Sequence, residues 1–188
     1  MRRRRYLDRM VLALLALAVS SGTCQAAQPY RDLILGFQFV PPPGWELGEV
    51  RGKLGEVALV YPAVRGAVIL LTVRANARQK DDGKPATPAQ LVEIGRLYQQ
   101  RLERGQLGNT YRTFRLLDSA PGYMGNFNTA ELLFRAQPAR RSLTEGRIFV
   151  TVGGDMGRLV TILLVTPEPL FARLKPAVDA IARSFALL

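Results

Sequence analysis

The chain has 188 residues, with 26 Lys+Arg against 15 Asp+Glu, a formal net charge of +11, an apolar fraction of 48%, one Cys and no His. The missing His excludes His-based catalytic triads, HExxH zinc sites and imidazole pH switches. A single Cys excludes an internal disulfide and a cysteine zinc site. The length suits one domain better than two, and the composition is that of a folded protein.

The first segment reads as an address. Arg2 to Arg5 and Arg9 form a positive head, Met10 to Val19 is an apolar run, and the small and polar residues Ser20 to Ala27 follow. This is the three-part pattern of a secretory signal peptide over residues 1–26. The apolar run is too short for a membrane span, which needs about 20 residues. Cleavage after Ala26 places Cys24 at −3 and Ala26 at −1, both small. Cys24 opens a rival reading, lipid attachment, although Ser21 and Thr23 stand where a lipobox carries an apolar residue and a small one. Arg3-Arg4-Arg5-Tyr6-Leu7 also fits a twin-arginine pattern, a weak match among four consecutive arginines. Removal of residues 1–26 leaves Ala27 to Leu188, with a net charge of +7 and neither Cys nor His. That chain must fold by packing alone, and a chain of about 150 residues buries roughly 68–70% of its unfolded surface.

The elements alternate between strands and helices. Leu33 to Val40 reads as a strand stopped by Pro41-Pro42-Pro43-Gly44. Trp45 opens a short stretch to Val50. Glu56 to Tyr61 and Ala67 to Ala75 are strands joined by a turn over Pro62 to Gly66, the second apolar on both faces and therefore central. Asn76 to Ala86 reads as an exposed loop, in which Asp81-Asp82-Gly83 lacks calcium-loop spacing. Thr87-Pro88-Ala89-Gln90 predicts a helix start with a capping box. Leu91, Ile94, Tyr98 and Leu102 mark its apolar stripe, and Gly105 its end. Alternating strands follow at Tyr111 to Asp118, Thr129 to Ala136 and Gly146 to Val152, the last two joined as a hairpin through Pro138 to Ser142. Gly153 to Gly157 reads as a tight turn into the buried strand Arg158 to Val165. Thr166-Pro167-Glu168 then predicts a capped helix with the stripe Leu170, Leu174, Val178, Ile181 and Phe185, kinked or divided by Pro176. Consecutive strands with short connections predict an α+β fold built on a mainly antiparallel sheet.

Little of this carries reactive chemistry. Gly153-Gly154-Asp155-Met156-Gly157 lacks the GxxxxGK[ST] of a nucleotide loop and precedes a strand. No serine lies in GxSxG, and no acid pair stands in a glycosidase pattern. An enzyme would have to work through carboxylates or through Lys53, Lys80, Lys84 and Lys175. No cofactor and no metal ligand set is expected. The basic excess is mostly arginine, and Arg135, Arg140, Arg141 and Arg147 gather on one proposed hairpin, with Arg112 and Arg115 close by. Guanidinium forks favour carboxylate and phosphate. These residues are candidates for an acidic partner protein or an anionic envelope surface, set against the plainer reading of ordinary solubility charge. Aromatics are not interleaved with them, which argues against nucleic acid.

The element order, with Gly36-Phe37-Gln38-Phe39-Val40 running into Pro43-Gly44-Trp45 near the start and a closing strand, Thr-Pro helix start and Ser184-Phe185 at the end, resembles the PsbP/Mog-type superfamily of PsbP-like and DcrB-like exported domains. The resemblance covers most of residues 27–188. It implies an α/β/α sandwich with helices on both faces of the sheet, with Trp45 and Phe185 as core anchors. It also implies a non-enzymatic role as an accessory subunit, envelope lipoprotein or partner-binding module. Metal binding in plant-type relatives does not carry over, because no His is present to match it. Fold alone does not transfer function.

Overall fold

The computed structural model describes residues 28–48, 56–75, 84–154 and 157–188. The expected leader, Cys24 and the Asp81-Asp82-Gly83 turn lie outside these residues.

A seven-stranded antiparallel sheet forms the frame. Its strands are β3 (Glu46–Gly48), β4 (Glu56–Val60), β5 (Val68–Ala75), β6 (Tyr111–Met124), β7 (Phe127–Pro138), β8 (Gly146–Gly154) and β9 (Arg158–Pro167), in the spatial order β3-β4-β5-β9-β8-β7-β6. The most apolar strands therefore lie in the middle. On β8, Phe149 faces one side while Ile148, Val150 and Val152 face the other. On β9, Val160, Ile162 and Leu164 face the first side, and Leu159, Leu163 and Val165 the second. A sheet that is apolar on both faces must be covered on both.

Helix α1 (Pro88–Arg104) covers the second face through Leu91, Tyr98 and Leu102, over Ala130, Leu132, Phe134 and Ala136 of β7. The predicted capping box is present, with the Gln90 amide donating to Thr87 Oγ1 at 3.4 Å and the Thr87 amide donating to Gln90 Oε1 at 2.8 Å. Gly95 lets the helix approach closely, since a Cβ there would stand 2.7 Å from Leu116 Cδ2. Helix α2 (Phe171–Ser184) covers the first face through Leu174, Val178, Ile181 and Ala182. The result is the expected α/β/α sandwich.

A second, three-stranded sheet, β1 (Tyr30–Asp32), β2 (Phe37–Phe39) and β10 (Ala186–Leu187), closes the α2 side in the order β1-β2-β10. Phe37 and Phe39 are fully buried, and Phe37 stacks on Phe185 at 5.9 Å between ring centroids. Trp45 is buried against Tyr61 at 5.3 Å. Both Trp45 and Phe185 are core residues.

Four expectations need correction. The strand over Leu33 to Val40 is only Phe37–Phe39. Asp32 Oδ1 accepts the amides of Ile34 and Leu35 at 3.0 and 2.9 Å, and Gly36 adopts φ +65°, so the chain turns there instead. Leu33 and Ile34 stand exposed at the tip. The strand at Tyr111 runs on to Met124 because it lies at the sheet edge, where Pro121 breaks no ladder bond on its free side. Thr166 does not cap a helix. It continues β9, paired with Arg147 and fully buried, and a single turn, Glu168–Leu170, leads into α2 at Phe171. The helix is continuous through Pro176, so the division falls before Phe171.

One buried polar pair ties α1 to the sheet, the Tyr98 hydroxyl and Thr161 Oγ1 at 2.9 Å. Burial pushes the Tyr98 hydroxyl pKa up, so it stays neutral, with the Thr161 contact opposing that shift. Tyr98→Phe is expected to lower unfolding stability by about 1–3 kcal/mol in urea titrations, by leaving the Thr161 hydroxyl buried without a partner, while Tyr98→Phe with Thr161→Val recovers part of the loss.

Candidate functional site

The antiparallel register brings three arginines into one row. Arg115 on β6 lies opposite Arg135 on β7, and Arg135 lies opposite Arg147 on β8. Their neighbours Phe114, Ala136 and Ile148 point into the α1 core, so the arginines occupy the α2 face, beside the turn that leads into α2. Glu168 on that turn pairs with Arg147 and lies 3.9 Å from Arg135, while Glu145 lies 4.0 Å from Arg135. Arg147 is largely buried, and its Nη1 and the Arg135 Nε are buried without a hydrogen-bond acceptor.

The structure thus divides the four arginines grouped by sequence. Arg135, half-buried, and Arg147, largely buried, sit in an ion-pair network that fastens the α2 lead-in to the sheet. Arg140 and Arg141 are exposed on the loop between β7 and β8. With Arg112, Gln137, Leu143 and Glu145 they line an open cleft of about 470 Å³. Sequence reasoning missed Glu145 and Glu168 as part of this cluster. The sequence pattern makes Glu168 the first-turn acid of a helix capped by Thr166, and only the continuation of β9 brings it over Arg147.

A second, smaller cavity of about 110 Å³ lies along α2, lined by Asp118, Glu131, Leu133, Phe149, Phe171 and Lys175 among others. Lys175 Nζ donates to Asp179 Oδ1 at 2.7 Å and stands 4.7 Å from the centre of the Phe149 ring. Burial raises the Glu131 pKa above its ordinary 4.5, with Lys175 opposing and Asp179 reinforcing the shift. Among the described residues no group of three or more Asp, Glu, Cys or His is placed to hold a metal ion. No described helix is long and apolar enough to cross a membrane.

No protein-family model matches the chain, and no curated protein matches it in sequence. Its fold is found in solved structures. A cyanobacterial PsbP (CyanoP) from Synechocystis sp. PCC 6803 matches with a TM-score of 0.63 at 19% identity, over 89% of this chain and 96% of that one. LpqN of Mycobacterium tuberculosis, described as involved in cell envelope biogenesis, matches with a TM-score of 0.51 at 13% identity, over 88% and 87%. A Bacteroides thetaiotaomicron protein matches with a TM-score of 0.55 at 8% identity, over 87% of this chain and 49% of its own length. The chain has the PsbP-like fold. At these identities the likeness carries architecture and no site residues.

Two outcomes follow. Glu168→Gln leaves the arginine row with one fewer counter-charge and is expected to lower stability by about 1 kcal/mol, more in low salt than in high salt, measured by denaturant unfolding. For Glu131, the folded carboxyl holds its proton to higher pH than the unfolded one, so stability falls as pH rises from 4.5 through the raised value. Glu131→Gln should therefore raise the melting temperature at pH 7, with the gain fading below about pH 4.5, in a pH series of thermal melts.

Proposed function

We propose that the chain is an exported, periplasmic, non-catalytic accessory or partner-binding protein of the cell envelope. The observation that carries this reading is the union of a signal-type segment, residues 1–26, with a PsbP-like fold that is also found in a protein tied to envelope biogenesis. The partner is another envelope protein or an anionic envelope surface, and the arginines on and beside the β7–β8 hairpin are the contact. Chemistry supports binding over catalysis. The chain has no His, and its single Cys lies in the leader. The carboxylate cavity at Glu131, about 110 Å³, falls short of the roughly 300 Å³ at which ligand pockets begin. A second reading keeps the same domain tethered to the envelope by a lipid on Cys24.

Cell fractionation followed by intact-mass measurement tests this. The expected result is a periplasmic chain beginning at Ala27. For the tethered form, the expected result is a membrane-associated chain that takes up labelled palmitate and loses the label in Cys24→Ser. A full-length chain recovered from the cytoplasm would sink the proposal.

A further inference from the structure

Like charges directly opposite one another on a sheet repel. The Arg115, Arg135 and Arg147 row persists because Glu145 and Glu168 answer two of its members. Arg115 has no carboxylate partner among the described residues. Nor have Arg112, Arg140 and Arg141, which stand exposed around the adjoining cleft. Four guanidinium groups therefore share one end of the sheet without an ion pair of their own among the described residues, beside two that are paired to Glu145 and Glu168.

We propose that this cleft, bounded by Arg112, Arg140 and Arg141 with Arg115 next along β6, docks a carboxylate-rich segment of a partner protein. The inference rests on the partner-binding reading above and names the chemistry of the partner. Three features favour an acidic peptide. The cleft is open and its cations come from both the β6 strand and the β7–β8 loop, whereas a lone phosphate needs donors that converge on one point. Its wall also carries Gln137 and the 42%-exposed Leu143, which suit a polypeptide with amide groups and an apolar side chain. Glu145 lies in the lining, where an anionic bilayer would press against it but a flexible peptide can pass around it. Arginine forks match carboxylates two bonds at a time, which gives such a segment a defined register.

Fluorescence anisotropy with a labelled peptide containing six glutamates tests the site on the purified protein. Saturable binding that weakens as salt rises is expected. Replacing Arg112, Arg115, Arg140 and Arg141 together by Ala should weaken it roughly tenfold or more. A charge-matched control, Arg31, Arg65, Arg104 and Arg183 to Ala, should bind within about twofold of the parent, and circular-dichroism melts should show both variants folded. Equal losses in the two variants, or no peptide binding by the parent, would overturn the proposal. So would tighter binding to phosphatidylglycerol vesicles than to the peptide, or displacement of the peptide by millimolar inorganic phosphate at constant ionic strength. A cytoplasmic chain that still binds through these arginines would remove the export reading and leave the site standing. An exported chain that fails the test would remove the site alone.

Discussion

The whole arrangement hangs on a ribbon of three strands, β5, β9 and β8, whose side chains are apolar on both faces. No antiparallel sheet with such a centre can leave either side to water. One helix must lie on each face, and the chain supplies them at two well-separated points, after β5 and after β9. Because each helix is narrower than the sheet, each covers only part of its face. Helix α1 lies over β6, β7 and β8, and α2 lies over the β9 side and reaches β6. Toward the outer strands the α2 face turns charged, with Arg115, Asp118, Glu131 and Arg135 on β6 and β7, and Asp118 and Glu131 share a small cavity with Phe171 and Lys175 of α2. The charged residues therefore gather at the margin of the helix cover.

That geometry explains why the framework was readable from sequence and the cluster only in part. Period-two alternation at Ala130, Leu132, Phe134 and Ala136 and the 3–4 spacing at Leu91, Tyr98 and Leu102 reflect burial against one partner, so they mark the faces directly. The Thr87 cap is a local device and is equally legible. The places where expectation failed are where distant chain decides local structure. Thr166-Pro167-Glu168 has the composition of a helix start, but pairing with β8 outweighs it and keeps Thr166 extended. Leu33 and Ile34 look like strand residues, but Asp32 captures the amides of Ile34 and Leu35 and turns the chain. The arginines were visible as a group. Their split into paired and unpaired sets was not, because it depends on Glu168 arriving across two strand connections.

The ion-pair network joins two parts of the structure. Pairing with Arg147 ties Glu168, and with it the lead-in to α2, to β8, and Arg135 lies within 4.0 Å of both Glu145 and Glu168, next to the exposed arginines. A rigid backing of this kind reduces the conformational entropy that a binding surface must surrender when it meets a partner. The flexible long side chains at the cleft are thus mounted on a wall whose own charges are already neutralised.

The small sheet carries a consequence for the order of assembly. β2 finds its second neighbour only in β10, and Phe37 and Phe39 are covered only when α2 and Phe185 have arrived from the other end of the described chain. Contacts so far apart in sequence close late, because a long loop must be ordered before they form. Until residues 171–187 join, β2 pairs with β1 alone, and Phe37 and Phe39 lack the cover of α2 and Phe185. The small sheet is thus a clasp between two distant segments, and the aromatic half of the core closes only when both are in place.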